Sequence, residues 1–172
     1  MSGELRILPQ TYLTFRLGTQ RLAFEAKHLW EAAGKVEWTE VPRQFPHMVG
    51  VTQLHGKIMP ILDLAGILGI PRGNAGGSGP GSFIAVNCAG QEEPAAGFLV
   101  DEVLGFVKVP VEELQDPAWG PEGRTFPYQT AWSGPNFDLP LLDIERLVTD
   151  QSPEKAGTDG QFIPEYQGED HV

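Results

Sequence analysis

Histidines and carboxylates are the groups with which a small protein does acid–base or metal chemistry, and this chain has four histidines (28, 47, 55, 171) among 23 Asp and Glu residues. The histidines show neither the i, i+4 pairing of a helical metal site nor a zinc-like interval. The single Cys88 has no second thiol for a disulfide or a multi-cysteine zinc site. It alternates with Ile84 and Val86, which predicts a small buried side chain and not a nucleophile. There is no Gly-x-Ser-x-Gly elbow, and the glycine run 73–81 is not followed by the Lys-Ser/Thr of a phosphate-binding loop. One catalytic alternative remains, a small β-barrel enzyme using His55 and Asp63. It is weakened because Asp63 suits the start of a short helix, where it would accept from free N–H groups, and because no third group orients the pair. The sequence therefore predicts no catalytic residues, no metal and no cofactor.

The elements that carry these residues are short and mostly extended. Tyr12–Leu17 puts Leu13, Phe15 and Leu17 on one face, and Arg21–Glu25 does the same with Leu22 and Phe24, around a turn at Gly18-Thr-Gln. Ala26, Leu29, Trp30 and Ala33 follow an i, i+3, i+4, i+7 pattern closed by Gly34, which predicts a short helix. An extended stretch from Val36 to Val41 follows. Met48–Leu64 reads as two strands joined at His55-Gly56, then a helix from Asp63 to Leu68 closed by Gly69. Gly50 and Gly56 suit positions where a side chain would clash or φ must be positive, and Pro60, lacking an N–H, suits an outer position of the ladder.

Residues 71–81 hold almost nothing that can pack and read as a glycine-rich loop. Ser82–Cys88 and Ala96–Asp101 form a further strand pair, Val103–Val109 continues extended, and 115–135 resists placement. Asn136–Leu142 predicts a strand and Asp143–Val148 a terminal helix. The stretch 150–172 reads as an acidic, disordered tail.

Gly and Pro number 21 and 15 of 172 residues, about 12% and 9% against typical values of about 7% and 5%. That surplus between short apolar runs implies many tight turns and a sheet-rich fold. The net charge of −11 disfavours nucleic acid, and six acids against one lysine from Asp150 onward account for −5 of it. No apolar run approaches the roughly 20 residues that cross a bilayer. No secretory signal opens the chain, so a cytoplasmic location without direct membrane insertion is expected.

Val49-Gly50, Leu54-His-Gly56, Pro60 and Asp63-Leu64 together resemble the signature of the CheW family of chemotaxis adaptors. Gly97-Phe-Leu-Val-Asp-Glu-Val103 and Leu141-Leu-Asp-Ile-Glu-Arg-Leu147 resemble further elements of that family in the right order. The resemblance spans about residues 10–149. It implies one CheW-like domain, mostly β, made of two SH3-like five-stranded barrel lobes with short helices. It also implies a scaffold role between the cytoplasmic tip of chemoreceptors and the regulatory domain of a CheA-type histidine kinase.

By the same resemblance, Glu31 and His55 make a polar contact at a partner-facing edge, the alternative being two solvated surface residues. Leu29 and Phe83 match apolar positions presented to the receptor, or else pack in the core. Gly50, Gly56, Pro60 and Asp63 are the structural positions. The family's arginine is His55 here, and Ala32 and Ala33 stand where basic residues often follow the glutamate. These departures carry a second reading, a CheW-like paralogue without receptor coupling that competes with or regulates another adaptor.

Overall fold

A computed structural model describes residues 9–42, 46–71, 81–120, 123, 125–134 and 139–151. The expected tail beyond Gln151 and most of the glycine-rich loop lie outside the described residues. Among the described residues, twelve strands and two short α-helices follow in order: β1 (Gln10–Leu17), β2 (Gln20–Glu25), β3 (Leu29–Ala33), β4 (Trp38–Thr39), β5 (Met48–Leu54), β6 (Lys57–Leu62), α1 (Leu64–Leu68), β7 (Ser82–Val86), β8 (Ala96–Val100), β9 (Glu102–Val109), β10 (Leu114–Gln115), β11 (Gln129–Ser133), β12 (Pro140–Leu142) and α2 (Ile144–Asp150). Single 3-10 turns occupy Ala26–His28, Val111–Glu113 and Pro117–Trp119.

The strands form two sheets, one in the order β10-β11-β12-β2-β1-β9 and the other β3-β7-β8-β6-β5-β4. The mostly β, two-lobed fold read from the sequence is present. Each sheet has six strands where five were expected, and the two-residue strands β4 and β10 lie at sheet ends.

The two sheets match strand for strand. β3, β7, β8, β6, β5 and β4 correspond to β9, β1, β2, β12, β11 and β10. The correspondence extends to register. Each sheet has one parallel seam, Ile61↔Gly97 and Leu62↔Phe98 in one, Leu141↔Ala23 and Leu142↔Phe24 in the other. Each has a bulge at the same place, at Trp30 between Leu29 and Glu31, and at Leu104 where the register slips between Phe15↔Val103 and Thr14↔Gly105. The chain is thus two copies of one plan, β1–β6–α1 and β7–β12–α2. Each copy's first hairpin is inserted between strands of the other.

The bulge explains the one element that the sequence misplaced. The helix expected over 26–33 is a 3-10 turn, Ala26–His28, followed by strand β3. Leu29 and Glu31 are paired along β7 with Trp30 as the extra residue, and that extra residue breaks the period-2 alternation. A strand with a shifted period imitates a helical one over four apolar positions. The extended stretch 36–41 pairs only at Trp38 and Thr39, and the strand expected from Asn136 is described only from Pro140.

The central core lies between the lobes. Leu13, Phe15, Leu22 and Phe24 of one sheet meet Ile84, Val86, Phe98 and Val100 of the other, with Leu64, Ile67, Leu68, Ile144 and Leu147 from the helices. Each sheet also has a small core on its other face, Tyr12, Ala23, Val109 and Leu141 in one, Met59, Ile61, Phe83 and Ala85 in the other. Burying both faces of β1 and β7 makes Leu13–Phe15 and Phe83–Val86 nearly inaccessible.

Candidate functional site

His55 stands at the tip of the β5–β6 hairpin. The closing pair is Leu54↔Lys57, so only His55 and Gly56 turn the chain, with φ of 52° and 78°. Two successive positive φ values make a type I′ turn, whose twist matches that of the strands it joins. Glycine adopts this conformation without cost, and histidine is among the side chains that tolerate it. The turn aims the imidazole across the end of the sheet toward β3. There the bulge at Trp30 sets the position of Glu31.

The two meet. His55 Nε2 donates to the Glu31 carboxylate, 2.9 Å from Oε1 and 2.6 Å from Oε2. The Trp30 ring lies behind the imidazole, with centroids 6.0 Å apart and planes tilted by 54°. The imidazole is 63% exposed and the carboxylate 32%. Beside them Lys57 Nζ pairs with Glu93 Oε1 at 2.6 Å, tying the hairpin to the β7–β8 loop. Ile58, the next residue of β6, is 71% exposed. Sequence reasoning named Glu31 and His55 but missed Trp30 as their support, along with Lys57, Ile58 and Glu93. The alternation of β6 carried a signal for Ile58, because Met59 and Ile61 take the inner face.

The other expected positions separate by role. Leu29 is half-buried against the central core. Phe83 is fully buried, its ring lying on Gly97 of β8, so in this conformation it offers no surface. Gly50 is a seat for Trp38, since a Cβ there would overlap the indole and the Thr39 carbonyl. Pro60 is paired with Val51 in an interior strand. Counting the ladder alternation from the turn makes that pair a non-hydrogen-bonded one, so the missing N–H faces β8, where pairing starts only at Ile61.

Asp63 caps α1, its carboxylate accepting from Gly66 N–H at 3.2 Å, and Gly69 closes that helix with φ of 69°. Strand β6 separates Asp63 from His55 by roughly 20–25 Å, so the two do not form a catalytic pair. Cys88 lies past the end of β7 and is half-buried, not interior as its alternation predicted. Burial, with a smaller contribution from Glu145, raises its thiol pKa. Among the described residues no three His, Cys, Asp or Glu side chains are grouped to hold a metal ion, and no helix is long and apolar enough to cross a membrane.

The second sheet presents a different surface at the equivalent place. Where Trp30 and Glu31 stand in β3, β9 has Leu104 and Gly105, followed by exposed Phe106 and Val107. At the bulge, therefore, the tryptophan and glutamate of β3 are replaced by leucine and glycine in β9, with two exposed apolar residues beyond them.

Comparison with known proteins agrees with this architecture. A solved scaffolding protein, TtCheW from Thermoanaerobacter tengcongensis, superposes with a TM-score of 0.66 over 81% of this chain and 92% of its own, at 23% identity. The chemotaxis protein CheW of Thermotoga maritima is 31% identical over 102 residues, 59% of this chain and 64% of that protein. The protein FrzA of Myxococcus xanthus is 32% identical over 111 residues, 64% of this chain and 66% of that protein. The chain thus matches just under two thirds of the length of these curated relatives. The model of the CheW-like domain matches residues 11–152, and the chain belongs to that family.

Proposed function

We propose that this chain is a non-catalytic adaptor that couples the cytoplasmic tips of chemoreceptors to the regulatory domain of a CheA-type histidine kinase. The observation that carries the reading is the Glu31–His55 pair, held at an exposed end of one sheet by a type I′ turn and backed by Trp30. A carboxylate and an imidazole on a surface, with exposed Ile58 beside them, offer a partner one polar contact and an apolar anchor. Half-buried Leu29 and Val103, at equivalent places in the two sheets, flank the interlobe core, with Phe106 59% exposed nearby. An amphipathic receptor helix can lay its apolar stripe along such a surface. The name of the Thermotoga maritima relative, a chemotaxis protein CheW, supports the same role. The location expected of such an adaptor is the cytoplasm, with recruitment to receptor arrays.

A second reading rests on His55 and on Ala32 and Ala33, which remove cationic groups from the presented edge. In that reading the chain binds the kinase without the receptor and competes with another adaptor. Co-purification decides between them. The tagged chain is mixed with a kinase regulatory fragment and with a receptor cytoplasmic fragment, together and separately. Retention of both supports coupling, retention of the kinase alone supports the competitor, and retention of neither sinks both.

A further inference from the structure

Strand β9 lies at the end of its sheet. Among the described residues β1 pairs with one side of it and no strand pairs with the other. The Asp101 N–H donates to Arg16 O at 3.0 Å, so Arg16 turns its backbone groups toward β9. By alternation Thr14 and Tyr12 do the same, and they meet Gly105 and Val107. Phe106 and Lys108, which alternate with those two, therefore direct N–H and C=O away from β1. The side chains along this edge are uncovered as well, Phe106 at 59% and Leu104 and Val107 at 36% each. An apolar edge with free backbone groups is a template for another strand. The bulge at Leu104 breaks the regular edge on one side, leaving the stretch from Gly105 to Lys108 to accept one.

We propose that a second molecule of this chain supplies that strand, in a two-fold dimer whose β9 edges pair antiparallel with Phe106 opposite its own counterpart. Such an interface is isologous, so a residue on the axis meets itself. Phe106 faces outward in both molecules, and the pair exchanges two N–H···O=C bonds. Three features select β9 itself over an unrelated strand. The two phenyl rings form a cross-strand aromatic pair. Val107 falls opposite Gly105 of the second molecule, where a Cβ would meet only open space. Glu102 and Lys108 put opposite charges at the two ends of the stretch, so antiparallel pairing brings each toward the other, where parallel pairing would oppose like charges. The paired stretch is short, so the dimer is of the small class that buries less than about 1,200 Å² and forms only at high concentration. It covers Phe106, beside the surface proposed above for a receptor helix, so dimer and receptor compete there. The dimer itself does not depend on that reading.

Sedimentation equilibrium of the full chain tests this, from about 5 µM to about 1 mM, the range over which a small interface associates. Particle mass should rise from monomer toward dimer across that range. Phe106→Lys and Phe106→Asp each set like charges against each other on the axis, and each alone should weaken association by at least about tenfold. Mixed in equal amounts, the two variants set lysine against aspartate and should dimerise again. That rescue arises only if residue 106 of one molecule meets residue 106 of the other. Circular dichroism checks that both variants fold, as a mostly exposed position allows; if either does not, Phe106→Arg and Phe106→Glu take their place with the same readings. Monomer at every concentration overturns the proposal. So does a dimer that the single variants leave intact, or a mixture of them that stays monomeric.

Discussion

Asp63 and Asp143 stand in the same relation to the helices that follow them. Each carboxylate accepts from the backbone N–H three residues on, Gly66 at 3.2 Å and Arg146 at 3.1 Å. Each backbone N–H donates 2.7 Å to the carbonyl of a residue with positive φ, His47 at 65° and Tyr128 at 67°. Tyr128 follows Pro127 in a turn closed by Gln129 N–H to Phe126 O, the type II arrangement with proline second and a left-handed residue third. A Phe-Pro dipeptide and a Pro-x-Leu-Asp segment thus recur about 80 residues apart, at 45–46 and 126–127, and at 60–63 and 140–143.

Replacing either aspartate by alanine should cost about 1 kcal/mol of stability, the usual worth of an N-cap, while asparagine retains most of it. The two caps belong to different copies of the plan, so the double alanine variant should lose close to the sum. Urea midpoints of the four proteins check this. An aspartate-to-alanine change without effect would mean that the tertiary packing of Leu64 and Ile144, not the cap, fixes these helix starts.

The sequence made most of this fold legible because its strands alternate and its turns carry glycine. The β1–β2 and β5–β6 hairpins, the capped α1 and the terminal α2 were all readable. Strand β3 was not, because the bulge at Trp30 destroys the period on which such readings depend. The pairing of Glu31 with His55 was legible only through family resemblance. It spans 24 residues and arises from sheet geometry that no local pattern encodes. The duplication leaves a trace in the repeated Phe-Pro and Pro-x-Leu-Asp segments, but two short matches about 80 residues apart went unread until the strand orders were aligned. The exchange of hairpins between the copies was not legible, because two copies folding side by side would carry the same sequence signal.

Gly97 and Gly50 should tolerate alanine differently. A methyl at Gly97 meets the Phe83 ring inside a closed core, where nothing can move without opening the sheet. Gly97→Ala should cost about 1–3 kcal/mol. A methyl at Gly50 meets Trp38, which is 40% exposed and can swing outward, although the Thr39 carbonyl resists. Gly50→Ala should cost less and shift tryptophan emission to the red as Trp38 gains water. The two effects separate if melting temperature and fluorescence are read on the same samples. An equal loss of stability without a spectral shift would contradict the account of Trp38.

Alkaline pH should destabilise the protein through Tyr12. Its side chain is nearly buried, and desolvation, with a smaller contribution from Glu25, raises its pKa above the ordinary phenol value. The unfolded chain therefore loses this proton first, near pH 10. The stability it confers is complete below that pH and is lost as pH rises toward the folded value. Tyr12→Phe removes the hydrogen bond to Gln10 Oε1, 2.7 Å long, and should lower stability at pH 8 by about 1 kcal/mol. Its decline between pH 8 and 10.5 should nevertheless be shallower than in the unaltered chain. Parallel declines would exclude Tyr12 as the group responsible.

The last prediction concerns the Glu31–His55 pair as a recognition element. Both groups are exposed enough in the free chain that their mutual attraction contributes at most about 1 kcal/mol to folding. In a partner complex that excludes water the comparison changes. Arginine in place of His55 would hold a carboxylate through two parallel charge-assisted bonds, where the imidazole offers a single N–H, and one further such bond is worth roughly 1.5–3 kcal/mol. His55→Arg should then tighten binding to the kinase or receptor fragment by about tenfold. Adding Glu31→Gln to His55→Arg should abolish that gain if the carboxylate concerned is Glu31, and leave it intact if the carboxylate lies on the partner. His55→Asn is the control, because Asn-Gly is a preferred type I′ pair: it should keep the hairpin folded while weakening binding. Titration calorimetry of the four proteins decides the point. Equal affinities throughout would make His55 a residue of the turn alone, and the adaptor surface would then have to be sought at the apolar counterpart around Phe106.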